Sequence, residues 1–231
     1  MLDCKQRKGK DYETLKHPDA RKHRLGDFAR STGAGDRSAT AARASGQTKR
    51  DPYPAHVVGQ RRAANGTTLD IRPITPADGE LIRDFVRSLS LGTRYLRFMA
   101  AVKELSTQSV ERLTRIDHER DAALLAVVNE DGADRVVGVA RYALCAGGGA
   151  CEFAIVVADD WRGRGLGRLL MTLLIDTAEA RGLKRIVGDV LAINRRMLAF
   201  VKAFGFRVLP SSDDPTIERV ERPLNGDRRH A

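Results

Sequence analysis

The chain holds 231 residues, 42% of them hydrophobic and 30% charged, which suits one well-packed domain or two small ones and excludes a fibrous or wholly disordered protein. Its longest unbroken apolar run, Ala122 to Val128, is far shorter than the roughly 20 residues of a membrane-spanning helix, and the opening MLDCKQRKGK has no apolar secretory core; a cytoplasmic protein without a membrane partner is expected. Three cysteines (Cys4, Cys145, Cys151) are too few for a disulfide framework and lack the spacing of a zinc site, so no metal is expected.

The formal net charge of +10 is unevenly distributed: residues 1–66 carry 15 Lys and Arg against 7 Asp and Glu, which leaves 25 against 23 for residues 67–231. The basic segment is rich in Gly, Ser, Thr, Ala and Arg, shows neither helical nor strand period, and includes the turn-forming Asp51-Pro52-Tyr53-Pro54. It reads as a disordered basic tail over 1–66. Such a tail attracts acidic polymers, yet it lacks interleaved aromatics for base stacking. The near-balanced charge of the remainder argues against nucleic acid as a partner.

From Thr67 onward strand and helix signals alternate. Leu69, Ile71 and Ile74 mark a first strand, and Pro76, Asp78 and Glu80 open a helix through Leu81, Ile82, Phe85 and Leu89. Helical patches over Gly92 to Met99 and Ser106 to Arg115 follow. Three β-rich segments come next: Ala122 to Asn129, Arg135 to Leu144 and Glu152 to Val157. The turns between them, Asp131-Gly132 and Gly147-Gly148-Gly149, predict an antiparallel meander. The period then turns helical, with Leu166, Leu169, Leu170, Leu173 and Leu174 on one face and Gly182 as the stop. A buried strand over Arg185 to Leu191, a helix from Asn194 to Phe204 closed by Gly205, and strands near Phe206 to Leu209 and Ile217 to Pro223 complete the order. This is a mixed α/β (α+β) sheet in a single domain over 67–231.

The stretch Val156-Val157-Ala158-Asp159-Asp160-Trp161-Arg162-Gly163-Arg164-Gly165-Leu166-Gly167-Arg168 joins a strand to an amphipathic helix. Glycines there let the backbone approach a ligand, and the free N–H groups of a helix start form an anion site. Arg162, Arg164 and Arg168 add the charge that suits a pyrophosphate. A Walker A loop would need GxxxxGK[ST], which is absent, and a dinucleotide fingerprint would need glycine where Arg168 stands. What remains is Arg162-x-x-Gly165-x-Gly167.

This pattern resembles the GNAT N-acyltransferase superfamily, whose Gln/Arg-x-x-Gly-x-Gly/Ala loop binds the pyrophosphate of acetyl-CoA. Asn194-Arg195-Arg196 through Phe204-Gly205-Phe206 is similar to its second signature, in which the Asn caps a helix and touches the pantetheine arm. The stretches Leu91 to Phe98, Lys103 to Ser106, Arg112 to Asp117 and Glu152 to Val157 resemble the acetyltransferase domain of Pat-type bacterial protein lysine acetyltransferases. The resemblance covers about residues 67–222. It implies a mixed, largely antiparallel central sheet flanked by helices, and acetyl-CoA as the acyl donor. The residues it places on the donor are Val156, Val157, Arg162, Gly163, Arg164, Gly165, Leu166, Gly167, Arg168 and Asn194.

Acyl transfer to an amine needs a neutral amine, and a lysine with pKa near 10.4 is almost wholly protonated at neutral pH, so a carboxylate base has a task. Glu152 is the first candidate: it stands on the strand that leads into the loop and resembles the glutamate that protein acetyltransferases of the superfamily use there. The structural alternative is a sheet-edge charge paired with an arginine. Asp189, inside an apolar strand, is either a buried residue held by hydrogen bonds or a second base. Asp117, Glu119 and Asp121 cluster around His118, which reads as a solvated loop residue. The superfamily's usual general acid is a tyrosine, and Val201 occupies its position here. Tyr95 and Tyr142 are possible substitutes, and solvent is another source of the proton. Backbone N–H groups of Val156 to Ala158 are expected to polarise the carbonyl. Cys145 and Cys151 flank the triple glycine and either pack or face each other. Asp159 and Asp160 read as helix-start electrostatics.

The expected activity is acetyl transfer from acetyl-CoA to a primary amine, with protein lysine as the leading acceptor. A small-molecule amine acetyltransferase, a silent acyl-CoA sensor in which Val201 replaces the acid, and a tail-driven nucleic-acid binder are the alternatives. Oligomeric state is not readable from the residues.

Overall fold

The computed structural model describes residues 53–210 and 214–224. Its eight strands are β1 (Gly59–Arg62), β2 (Thr68–Pro73), β3 (Ala122–Glu130), β4 (Ala133–Leu144), β5 (Ala150–Val157), β6 (Arg185–Leu191), β7 (Arg207–Pro210) and β8 (Ile217–Pro223). They form one sheet in the order β1-β2-β3-β4-β5-β6-β8-β7. Every neighbouring pair is antiparallel except β5 and β6. The described helices are α1 (Gly79–Ser88), α2 (Leu91–Phe98), α3 (Thr107–Thr114), α4 (Leu166–Ala180) and α5 (Arg195–Ala203). The predicted meander β3-β4-β5 and the mixed α/β class both stand.

Each residue of β3 from Ala122 to Val128 is buried, so the sheet is covered on both faces there. α4 covers one face, with Leu166 and Leu170 lying over Gly138 of β4, where a Cβ would meet them at 3.2 and 2.8 Å. Gly138 sits opposite Val157, so Val157, Ile155, Phe153 and Cys151 point toward α4 and Glu152, Ala154 and Val156 away from it. On that other face, α3 meets the Arg141 side chain through the Leu113 carbonyl. The predicted leucine stripe of α4 holds except that Leu169 is half-buried.

The ordered part begins earlier than expected. Residues 53–66 of the expected tail belong to the domain: β1 pairs with β2, and Tyr53 and Val57 are 2% and 0% exposed. Residues 1–52 of that tail lie outside the described residues. Composition misleads at Tyr53 because its partners are distant in sequence. Its hydroxyl receives the Ala123 N–H at 2.9 Å and meets His118 Nδ1 at 2.8 Å, while His118 Nε2 reaches the Ile74 carbonyl at 2.9 Å. His118 is therefore a packed linker rather than a solvated loop residue. Cys145 and Cys151 do not face each other: Cys151 belongs to the main core, and Cys145 sits with Ala150 and Val187 on the other face.

Candidate active site

The site begins where β5 and β6 part. Their parallel pairing covers only Ala150 to Glu152 against Arg185 to Val187, whereas β6 continues along β8 to Leu191. Beyond Glu152 a cavity of about 750 Å³ opens, lined from β5 by Glu152 to Val157 and from β6 by Asp189 and Val190. The β4 ladder decides which backbone groups face it. Cys145 N–H bonds the Ala150 carbonyl and Ala158 N–H bonds the Val137 carbonyl, both at 2.9 Å. By alternation, Glu152, Ala154, Val156 and Ala158 spend their backbone groups on β4, and Phe153, Ile155 and Val157 aim theirs at the gap. Of the expected polarising N–H groups, that of Val157 faces the gap but five residues from Glu152, while those of Val156 and Ala158 are engaged by β4; the Ile155 N–H faces the gap closer to Glu152.

At the far end of β5 lies the start of α4. Gly163 and Gly165 have φ of 76° and 79°, a left-handed region that a Cβ strains. Gly165 caps α4 without any side-chain hydrogen bond, which leaves the first-turn N–H groups of Leu166, Gly167 and Arg168 without a side-chain partner. Gly163, Gly165, Gly167 and Arg168 line the cavity. Leu166 is buried against β4, so its backbone alone remains for a ligand. Arg164 stacks over the Trp161 ring at 5.0 Å and does not line the cavity. Asn194 caps α5, accepting the Met197 N–H at 3.1 Å, and lines the opposite wall with Met197 and Phe200.

Arg162 has a structural engagement that the loop pattern does not reveal. It pairs with Asp159 at 2.8 Å and donates to the Thr93 hydroxyl. Asp159 in turn accepts the Ser90 N–H at 2.8 Å and the Thr93 hydroxyl at 2.6 Å, so the loop grips the start of α2 across 69 residues of sequence. Burial alone would raise the Asp159 pKa, but the Ser90 and Thr93 donors and the Arg162 charge together hold it below the ordinary 3.8. Asp159 is thus the main residue that sequence reasoning missed; an acidic residue in a turn gave no sign of partners so remote.

α2 runs down from this clamp and supplies Leu96, Arg97, Phe98 and Met99 to the cavity wall. Glu152 stands at this end, half-buried, and its charge reaches Arg97. Asp189 also lines the cavity but is held by Arg219 at 3.0 Å, its side chain 11% exposed. The Asp121 carboxylate caps the Leu144 N–H at 2.9 Å, and neither it, Asp117 nor Glu119 lines the cavity. Neither candidate tyrosine reaches the site. Tyr142 is fully buried beneath Arg181, where desolvation pushes its hydroxyl pKa far up, and Tyr95 is solvent-exposed and off the cavity wall. Val201 is 0% exposed and part of the core. Among the described residues no group of His, Cys, Asp and Glu is arranged to hold a metal, and no helix is long and apolar enough to cross a membrane.

A sheet split beside a glycine-lined helix start defines the fold class, and the sequence agrees. Residues 89–206 match the family described as Acetyltransferase (GNAT) family, and the chain belongs to that family of acetyltransferases. It is 40% identical over 152 residues to Acetyltransferase PA5475 of Pseudomonas aeruginosa, covering 66% of this chain and 82% of that one. It is 31% identical over 137 residues to Acetyltransferase Pat of Mycolicibacterium smegmatis, covering 58% of this chain and 40% of that longer relative. The crystal structure of the GNAT domain of S. lividans PAT superposes with a TM-score of 0.67 at 29% identity, covering 74% of this chain and 99% of that one. Acetyltransferases of this family take acetyl-CoA or another acyl-CoA as donor.

Proposed function

We propose that the chain is an N-acetyltransferase that takes acetyl-CoA in the gap between β5 and β6 and passes the acetyl group to a primary amine, with a protein lysine as the leading acceptor. The observation that carries this reading is the loss of strand pairing after Glu152 beside an uncapped, glycine-lined helix start. The residues fit an acyl-CoA. The α4 first turn and its glycines offer N–H donors to phosphate oxygens, the open edge of β5 offers backbone groups to an amide-bearing arm, and Phe153, Ile155, Met197 and Phe200 supply an apolar wall. The likeness to the two Pat proteins favours a protein acceptor.

Glu152 acts as the base, accepting the amine proton directly or through water. The amine nitrogen then bonds to the acyl carbon, the carbon–sulfur bond breaks, and the thiolate leaves. The Ile155 N–H lies on the open edge of β5 closer to Glu152 than that of Val157, where it stabilises the carbonyl oxygen as charge develops. No described tyrosine lines the cavity, so solvent protonates the thiolate. The test is thiol release from acetyl-CoA by the purified protein supplied with lysine peptides, small amines or cell extract, with acetylated products identified by mass spectrometry. Turnover with any of these amines is expected. A second reading, a silent acyl-CoA sensor, is favoured by the burial of Val201 where the superfamily usually has its acid; it predicts acetyl-CoA binding with no acyl transfer to any amine.

A further inference from the structure

Two cations of the cavity wall lie outside the phosphate loop, Arg196 on α5, which is exposed, and Arg97 on α2, which is half-buried at the Glu152 end. The Arg97 guanidinium stacks over the Phe98 ring at 5.0 Å and has no hydrogen bond or ion pair to a described residue. Its placement is rigid. α2 is clamped at its start by Asp159, and Met99, at its end, takes a left-handed backbone, φ 52°, of the kind that clusters at functional sites. Arg97 lies one helical turn beyond Thr93, away from the phosphate loop and toward the Glu152 end of β5, a strand run of about 17 Å from Val157.

The charges around Arg97 do not balance. Arg141 repels it more strongly than Glu152 attracts it, and with burial acting first and most, its pKa falls from 12.5 to about 10. It remains a cation at neutral pH. The other carboxylates of the cavity are engaged elsewhere, Asp189 by Arg219 at 3.0 Å and Asp214 by the Thr216 N–H and hydroxyl at 2.8 and 2.7 Å. Arg97 thus presents a positive charge at the Glu152 end of an apolar cavity. An incoming anion neutralises it, and an Arg fork matches a carboxylate with two parallel hydrogen bonds.

We propose that Arg97 anchors a carboxylate carried by one of the two reactants, so that the preferred substrate pair contains either a dicarboxylic acyl group or an amino-acid-type amine. This rests on the acyl-transfer reading of the same cavity and gives it a substrate class.

The test is calorimetric and independent of turnover. Succinyl-CoA and acetyl-CoA are titrated into the protein, and N-acetyl-β-alanine and its carboxamide are titrated into the protein saturated with CoA. The wild type is expected to bind the carboxylate member of one pair at least about tenfold more tightly, the yield of one charge-assisted contact. The pair that shows the preference names the source: the acyl group for the first, the acceptor for the second. In Arg97→Gln the preference falls to near unity, and in Arg97→Lys, which keeps the charge but not the fork, it is partly retained. Melting curves of both variants confirm folding. No preference in either pair, or a preference that survives in Arg97→Gln, overturns the proposal while leaving acyl-CoA binding intact. Failure of the wild type to bind any CoA compound overturns both this proposal and the acyl-transfer reading beneath it.

Discussion

The two ends of α4 are built from similar residues and do opposite things. At the C-terminal end, Arg181 donates to the His118 and Asp121 carbonyls at 2.6 and 3.0 Å and lies 5.5 Å from the Tyr53 ring and 5.7 Å from the Tyr142 ring. At the N-terminal end, Gly165 caps the helix with no side chain, and Arg164 and Arg168 stack on Trp161 and Phe204 without a carboxylate partner among the described residues. The first end is closed by backbone carbonyls and buried rings. The second leaves helix N–H groups at the wall of a cavity. Arg181, saturated by carbonyls, is structural, whereas Arg168 lines the cavity beside helix N–H groups, where we propose that a phosphate sits; the difference lies in the backbone, not in residue type.

The closed end is expected to give the largest change in stability. Tyr53→Ala removes a buried aromatic together with the links to Ala123 and His118, and a loss of about 3–5 kcal/mol is expected by denaturant unfolding. Tyr53→Phe keeps the ring and leaves the Ala123 N–H and His118 Nδ1 to find other partners, for about 1–3 kcal/mol. A Tyr53→Ala variant as stable as wild type would show that the closed end is not closed by residues 53–62 at all.

The open end is expected to yield an activity effect instead. Glu152→Gln should keep acetyl-CoA affinity and lower turnover by about 10²-fold at neutral pH, with partial rescue as pH rises and more of the amine becomes neutral. Equal turnover in both proteins would remove Glu152 from the role of base.

Asp159 sharpens the contrast through pH. Its folded pKa is held down, so its contribution is complete above the unfolded value near 3.8 and is lost as pH falls through the folded pKa. The closed end has the reverse sign. Burial pushes the Cys151 thiol from 9.0 up to about 12, so its contribution is complete below about 9 and declines as pH rises toward 12. Melting temperature against pH is expected to show both limbs. Asp159→Asn should flatten part of the acid limb, cost about 1–3 kcal/mol and leave the alkaline limb unchanged. An unaltered acid limb would mean the clamp on α2 does not form in solution.

The smallest effect is expected at Val201. Val201→Ala costs a modest amount of packing, about 1–2 kcal/mol, and leaves the chemical step nearly untouched, measured as single-turnover thiol release. A large loss in that step would give Val201 a role that a buried methyl group does not explain.

What could be read from the residues alone follows the same divide. The meander, the α4 leucines, the Asn194 cap and the glycine loop depend on local period and turn chemistry, and they lie where the sequence puts them. Tyr53, Asp159 and Arg97 depend on partners or positions set by the assembled sheet. Tyr53 meets groups 65 and 70 residues away, so a Pro-flanked residue in a basic, polar stretch carried no sign of being core. The choice between Val156 and Val157 as the donor facing the gap turned on ladder register, which composition does not contain. Arg164 and Leu166 matched the loop pattern by spacing, yet their side chains go to Trp161 and to the core.

Acyl-CoA phosphates are proposed to sit on the open end of α4, and Gly167 tests this placement most directly. Unlike Gly165, it has no positive φ, and a Cβ there would meet Phe200 and Val157 at 3.7 to 3.8 Å, ordinary contact distances. A glutamate at that position therefore leaves the backbone unstrained and suits a helix start electrostatically, but it places a negative charge where phosphate is expected. Calorimetric titration with acetyl-CoA should show binding to wild type and at least about 10²-fold weaker binding to a folded Gly167→Glu variant. Equal affinity in the two proteins would contradict the account.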